Sequence, residues 1–419
     1  MVDARDVAPA AGATGVSGGF IPYGKQYLDE ADIEAVTQVL RGDWLTQGPQ
    51  VGWFELAFAA KVGAKHAIAC ANGTAALHLA LLALGIGPGD AVVVPSITFL
   101  ASANAARYVG AEVAFADVDP QTGLMRRAHA EAAIARAEAQ GWRVRAIIPV
   151  HLAGQPADMA GLADLAAERG LALVEDACHA IGTRLPGRDG AMVEVGACDR
   201  AAMACFSFHP VKTLATGEGG MVTTNDDALA ARLRRLVSHG MVRDASAFQD
   251  GAAATGADGK PNPWYYEMPE IGFNYRMTDI QAALGRSQLD KLAHFLAARR
   301  KLVALYDAAF APLAPRLLPV ARVAGAEPGW HLYPVRLDFA ALGLDRSAFM
   351  ARLRSMGIGS QVHYIPVHRQ PYYQQRYGAL ELVGAEGWYQ HCLSLPLYAG
   401  MSMADLDRVV AAISGIVAA

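Results

Sequence analysis

At 419 residues, with 53 % apolar and 18 % charged side chains, the chain has room for two domains or one large α/β domain with an appendage. A formal net charge of −4 gives no electrostatic footprint for nucleic acid, although a local basic pocket for a diphosphate remains compatible with it. The five cysteines are odd in number and lack CxxC or Cys/His ligand spacing, so reduced thiols, a cytoplasmic location and no metal site are expected.

Residues 1–19 have neither the basic start nor the apolar run of a signal peptide and read as a disordered lead-in. From 20 to 292 short apolar runs alternate with helical patterns. Strands are expected at 66–70, 91–95, 112–116, 145–150, 172–175, 202–207 and 220–224, with helices between them such as 74–84 and 159–168. The most apolar stretch, 75–86, contains His78, ends in glycines and is too short to cross a bilayer. Strand–helix–strand alternation implies a mostly parallel sheet covered on both faces, with ligands bound beyond the carboxyl ends of its strands. Residues 241–270 form a Gly/Ala/Asp-rich insertion ending in Trp264, Tyr265 and Tyr266. One or two long helices over 280–310 lead into a smaller α+β domain, 293–419. Its strands are expected at 331–338 and 361–364, its helices at 347–356 and 404–416.

Four local features carry chemistry. Asn72-Gly73-Thr74 links a strand to the apolar helix, where a glycine allows close approach and a helix N-terminus offers free N–H groups to a phosphate. The plain alternative is a strand–turn–helix with no ligand. Phe99 follows a strand, where it either stacks on an aromatic cofactor or sits in the core. Asp176 ends the buried run Leu173-Val174-Glu175-Asp176, as the carboxylate that keeps a pyridine nitrogen protonated or as a helix cap. Lys212, in Phe206-Ser207-Phe208-His209-Pro210-Val211-Lys212 before Thr216-Gly217-Glu218-Gly219-Gly220, is placed as a Schiff-base lysine or as a surface lysine before a hairpin.

In this order the four resemble the DegT–StrS-type sugar aminotransferases, from about Phe20 to the C-terminus. The likeness is carried by Trp44-Leu45-Thr46-Gln47-Gly48, Asn72-Gly73-Thr74-Ala75-Ala76, Glu175-Asp176-Ala177-Cys178-His179, Lys212 with Gly217-Glu218-Gly219-Gly220, and Gly272-Phe273-Asn274-Tyr275-Arg276-Met277. It implies the fold type I architecture of aspartate aminotransferases and pyridoxal 5′-phosphate (PLP) as cofactor. Within the family, Ser238-His239-Gly240-Met241 and Val362-His363-Tyr364-Ile365-Pro366-Val367 look most like the UDP-4-amino-4,6-dideoxy-N-acetyl-β-L-altrosamine transaminases of pseudaminic acid synthesis.

The resemblance also implies roles. Lys212 bonds the cofactor and moves protons, Asp176 pairs with the pyridinium, and His179 lies near the ring, where many members carry Gln. Phe99 stacks on the ring, and Gly73, Thr74 and Ser207 hold the phosphate. Asn274 reaches that phosphate from the other subunit of a homodimer. Tyr23, Asp43, Trp44, Leu45, Thr46, Asn72, Arg276, His363, Tyr364, Ile365, Pro366 and Val367 line the nucleotide-sugar pocket, and L-glutamate is the amino donor. A GDP-linked sugar of perosamine synthesis, or a UDP-4-keto-pentose, is the neighbouring substrate class. Sugar 3-dehydration on this fold replaces the lysine with histidine, which Lys212 opposes. A PLP-fold regulator would bring a DNA-binding module, which this sequence does not display.

Overall fold

The computed structural model describes residues 19–418, so the lead-in expected over 1–19 lies outside the described residues except for Gly19. Nine strands precede residue 225: β1 (His66–Cys70), β2 (Asp90–Pro95), β3 (Glu112–Ala116), β4 (Arg143–Ile147), β5 (Ala172–Asp176), β6 (Arg184–Pro186), β7 (Met192–Glu194), β8 (Met203–Ser207) and β9 (Gly220–Thr224). Seven form one sheet in the order β1-β9-β8-β5-β4-β2-β3. All neighbours pair in parallel except β9, which runs antiparallel to both β1 and β8. The strands carry apolar side chains on both faces because helices cover both. Ile68, Cys70, Val92, Val94, Val174 and Cys205 pack with the helices Gly73–Ala83 and Leu100–Tyr108. Their alternate neighbours Ala67, Ala69, Ala204 and Phe206 pack under Pro49–Val62 and Asp279–Asp290, and Val93, Ile147 and Leu173 under Arg127–Ala139 and Met159–Arg169.

The stretch expected to be one or two long helices is two, Asp279–Asp290 and Leu292–Phe310, meeting at Lys291. Beyond them β10 (Leu317–Pro319), β11 (Tyr333–Leu337) and β12 (Cys392–Leu395) make an antiparallel three-stranded sheet with its own core around Tyr306, Tyr333, Phe349 and Ile413. The chain's start joins this core, since Ile21 is buried there and bridges to Ile358.

Two strand expectations change. The fourth strand ends at Ile147, leaving Val150 as a single bridge to Asp176. Residues 361–364 form no strand; one bridge, Gln361 to Ser394, ties the segment, and all four residues line a cavity, with Val362 and Tyr364 also packing against the core. The insertion 241–270 is closed at its base by the Val242–Glu267 bridge and carries exposed Trp264 and Tyr266. All five cysteines are free thiols, and among the described residues no metal-ligand cluster occurs and no helix is long and apolar enough to cross a membrane.

Candidate active site

A cavity of about 590 Å3 opens beyond the carboxyl ends of β1, β2, β5 and β8, where a parallel sheet leaves unpaired strand ends and helix N-termini. Its wall takes in Tyr23, Asn72, Gly73, Thr74, Phe99, Asp176, His179, Ser207, Lys212, His363, Tyr364 and Ile365. The four features that the sequence spreads over more than a hundred residues therefore face one space.

The anion end is built by a helix start. Asn72 caps the helix Gly73–Ala83 by accepting the Ala75 N–H at 2.8 Å. The N–H groups of Gly73 and Thr74 have no partner among the described residues, as expected for the first turn of a helix. Gly73 is required by space: a Cβ there would lie 2.7 Å from Ser207 Cβ and 3.3 Å from Cys178 Sγ. Two unpaired amides, the positive end of a helix and the Ser207 hydroxyl fit a phosphate.

Asp176 closes the opposite end. It faces the cavity while Glu175, one residue back, points to the other side of the sheet and pairs with His151 at 2.9 Å. The Asp176 carboxylate accepts from Ser102 Oγ at 2.6 Å and from the Cys178 N–H at 3.2 Å. Ser102 Oγ lies 2.7 Å from Thr98 Oγ1, so a buried hydroxyl chain fixes the carboxylate. Neither Thr98 nor Ser102 was singled out from the sequence; both sit in the turn and helix after β2 that Phe99 marked.

Lys212 leaves the tip of β8 on a turn whose N–H donates to the His209 carbonyl at 2.8 Å. The loop is shut behind it by Phe208 N–H to Gly219 O and Thr216 N–H to Phe208 O, at 2.8 and 2.9 Å. Nζ makes no hydrogen bond or ion pair among the described residues. Burial pulls the ammonium below its ordinary range, opposed by Cys178 and Asp176. That suits an amine which must lose its proton to react.

Four histidines line the wall, exposed His209 and the buried His179, His363 and His331. His179 Nδ1 accepts the Ala153 N–H at 3.3 Å, which puts its proton on Nε2, 3.2 Å from Tyr364 Oη. Burial, with the Lys212 charge and His363 beside it, holds His179 well below its ordinary range. His363 bonds Ser394 Oγ through Nδ1 at 2.8 Å and is held down to about 3, mainly by burial. His331, which the sequence marked only as the start of a strand, stands 4.4 Å from the His179 ring centroid.

Phe99 is exposed at the cavity rim, 6.1 Å from the Tyr364 ring, with one face free. The combination of anion cradle, fixed carboxylate, unpaired lysine and open aromatic face fits PLP.

Other expected residues lie elsewhere within one chain. Pro366 and Val367 are buried outside the wall, because the Val367 N–H is tied to Ser96 O at 2.8 Å and draws the segment into the core. Asp43, Trp44, Leu45 and Thr46 are exposed and held on the start of helix Asp279–Asp290 by the Asp279 N–H to Leu45 O bond and a Thr46–Thr278 bridge. Asn274 is exposed, with a backbone bridge to Ser238, and Arg276 donates to Ser238 Oγ at 3.0 Å. None of these is in the wall of its own chain's cavity, where Lys212 is the only lysine and no arginine occurs among the described residues.

Comparison with known proteins agrees with this geometry. Residues 26–414 match the model of the DegT/DnrJ/EryC1/StrS aminotransferase family. The spore coat polysaccharide biosynthesis protein SpsC of Bacillus subtilis is 39 % identical over 401 residues, covering 95 % of this chain and 97 % of that protein. Helicobacter pylori PseC, an aminotransferase involved in the biosynthesis of pseudoaminic acid, superposes with a TM-score of 0.83 at 28 % identity, covering 95 % of this chain and 99 % of PseC. The PLP form of the sugar aminotransferase Spr1654 of Streptococcus pneumoniae gives a TM-score of 0.82 at 27 % identity, over 95 % of this chain and 99 % of that one.

Proposed function

The chain belongs to the DegT/DnrJ/EryC1/StrS aminotransferase family, and from that premise we propose that it carries an amino group from L-glutamate to C-4 of a nucleotide-linked 4-keto-6-deoxy sugar. The favoured acceptor is a UDP-linked, N-acetylated sugar of the pseudaminic acid type, a choice supported by the likeness to PseC. The protein is a sugar aminotransferase of PLP-dependent type.

The observation that carries the catalytic reading is Lys212. It is a half-buried amine without a partner among the described residues, lowered in pKa, facing the same cavity as a carboxylate held by two donors. PLP, when bound, supplies an electron sink for the carbon that loses a proton. The chain's own groups do the rest. Gly73 and Thr74 N–H with Ser207 Oγ grip the phosphate. Asp176 keeps the proton on the pyridine nitrogen. His179 and Phe99 confine the ring, and Lys212 Nζ moves a proton to and from the reacting carbon. Two half-reactions share this machinery, the donor leaving before the sugar enters.

A diphosphate needs cations, and among the described residues this wall holds no lysine or arginine apart from Lys212. Arg276 of a second copy is therefore assigned to the diphosphate and Asn274 of that copy to the cofactor phosphate, in a homodimer whose contact includes the exposed apolar side chains of Trp44, Leu45, Trp53 and Leu56. Borohydride reduction followed by peptide mapping tests the lysine; a label on any residue but Lys212 rejects it. Mass spectrometry of products from UDP-, GDP- and dTDP-4-keto-6-deoxy sugars with L-glutamate tests the substrate. Amination of the UDP sugar at C-4 is expected, and amination confined to a GDP or dTDP sugar rejects the choice.

A further inference from the structure

His331 is fixed by its backbone from both sides. Its N–H donates to Ala153 O at 2.9 Å, and its carbonyl accepts from Arg299 Nη1 at 3.0 Å. Arg299 also donates to Leu397 O at 3.0 Å and is itself 2 % exposed, so the anchor lies inside the core. The imidazole is 4 % exposed, yet it forms part of the cavity wall beside His179.

Its two nitrogens differ. Nδ1 is sealed from solvent and has no hydrogen-bond partner among the described residues. Nε2 makes no hydrogen bond among the described residues either, but it is not sealed. His179 uses both nitrogens, and His363 uses Nδ1. An orphaned buried N–H is rarer in folded proteins than an under-used acceptor. The ring therefore takes the tautomer that leaves Nδ1 bare and puts the proton on Nε2. A second proton is opposed by burial first, and then by His179, Lys212, Arg299 and His363 around the ring. What remains is one neutral N–H donor at the wall of the cavity, on a residue whose backbone is anchored from both sides.

We infer that His331 is a specificity-determining residue of the sugar half-reaction, its Nε2–H donating a hydrogen bond to a hydroxyl or carbonyl oxygen of the acceptor sugar. The inference rests on the reading of this cavity as the sugar-aminating site. A neutral donor suits an uncharged sugar oxygen. The amino donor's carboxylate would instead call for a fixed cation, and among the described residues Lys212 is the only lysine or arginine that one chain places in this wall.

The test uses the PLP-loaded enzyme and two readouts. The first is nitrogen-15 histidine NMR, with the His331 signals assigned by their loss in His331→Gln. A protonated Nε2 and bare Nδ1, unchanged between pH 6 and 8, is expected; an Nδ1–H tautomer or a titration in that window overturns the inference. The second separates the half-reactions by single-turnover kinetics, with whichever nucleotide 4-keto sugar the wild type aminates fastest. His331→Phe should lower kcat/KM for the sugar about tenfold or more while leaving the L-glutamate half-reaction unchanged. His331→Gln, whose side-chain amide offers an N–H near the same place, should recover most of the loss. Equal losses in both half-reactions, a loss confined to L-glutamate, or no loss at all overturns it. A wild type that aminates no nucleotide sugar would instead defeat the proposed substrate class, and the NMR readout would still decide the tautomer.

Discussion

The Ser102 hydroxyl donates to Oδ2 of Asp176 at 2.6 Å, while Oδ1 accepts the Cys178 N–H at 3.2 Å. Each oxygen is thereby held, and the carboxylate keeps one orientation toward the cavity. Replacing Asp176 by Asn preserves shape and allows Ser102 to rotate and accept, so the fold should survive with little change in Tm. The neutral amide cannot hold a proton on a pyridine nitrogen, so turnover should fall by orders of magnitude. Near-native kcat in Asp176→Asn would reduce Asp176 to a structural cap.

Gly73 and Ser207 approach so closely that the cradle admits no side chain between them. In Gly73→Ala the new methyl would sit 2.7 Å from Ser207 Cβ at the rigid end of β8. The helix start must then shift from the strand tip, and PLP affinity should fall about tenfold or more, since two N–H donors to the phosphate move together. Gly415→Ala is the control, because a Cβ there meets nothing within 4 Å. That change sits on an exposed turn of helix Met403–Ala418 and should stabilise the protein by up to about 1 kcal/mol. Equal PLP dissociation constants for both variants would remove Gly73 from the phosphate site.

The buried histidines give a pH dependence with a definite sign. His363 is held down to about 3, and His179 and His331 well below the ordinary value of 6.5, in each case chiefly by burial. Below pH 6.5 the unfolded chain takes up protons that the folded chain refuses. Stability is therefore full above pH 6.5 and lost as pH falls toward about 3. Each histidine contributes a slope approaching ~1.4 kcal/mol per pH unit. Urea midpoints at pH 7, 6 and 5 should fall progressively, and His363→Gln should flatten the decline. A midpoint constant from pH 7 to 5 would contradict the neutral, buried state of these rings.

What the sequence disclosed depended on the kind of signal. β1, β3 and β9 were legible to the residue because short runs with apolar and β-branched centres, set between turns, mark buried strands. Asp176 and Lys212 were legible because they stand just past such runs. The helix Arg127–Ala139 was not singled out; its charged face dilutes the apolar period of Ala130, Ala133, Ile134 and Ala137. Residues 361–364 misled because the order Gln361, Val362, His363, Tyr364 reads as the alternation of a strand, whereas all four line a cavity and only Gln361 makes a bridge, to Ser394. Ser102 and His331 act through contacts with residues 74 and 152 positions away in sequence, Asp176 and His179. No local pattern records such a pairing.

Asn274 gives the sharpest test of assembly. Its side chain is exposed and makes no hydrogen bond among the described residues, and it lies outside the cavity wall of its own chain. If each site takes Asn274 from the neighbouring chain of a two-fold dimer, the two defects complement. Lys212→Ala and Asn274→Ala homodimers should each be inactive, one for want of the amine and the other for want of the phosphate contact. After subunit exchange at equal concentrations, half the dimers are hybrids. In a hybrid, one site combines the lysine of the Asn274→Ala chain with the asparagine of the Lys212→Ala chain, and the other site lacks both. Random exchange should therefore restore about one quarter of wild-type activity. Exchange is verified by native mass spectrometry of chains of different mass. Verified hybrids without activity would place Asn274 outside the site, and a fully active monomer would remove the need for a partner altogether.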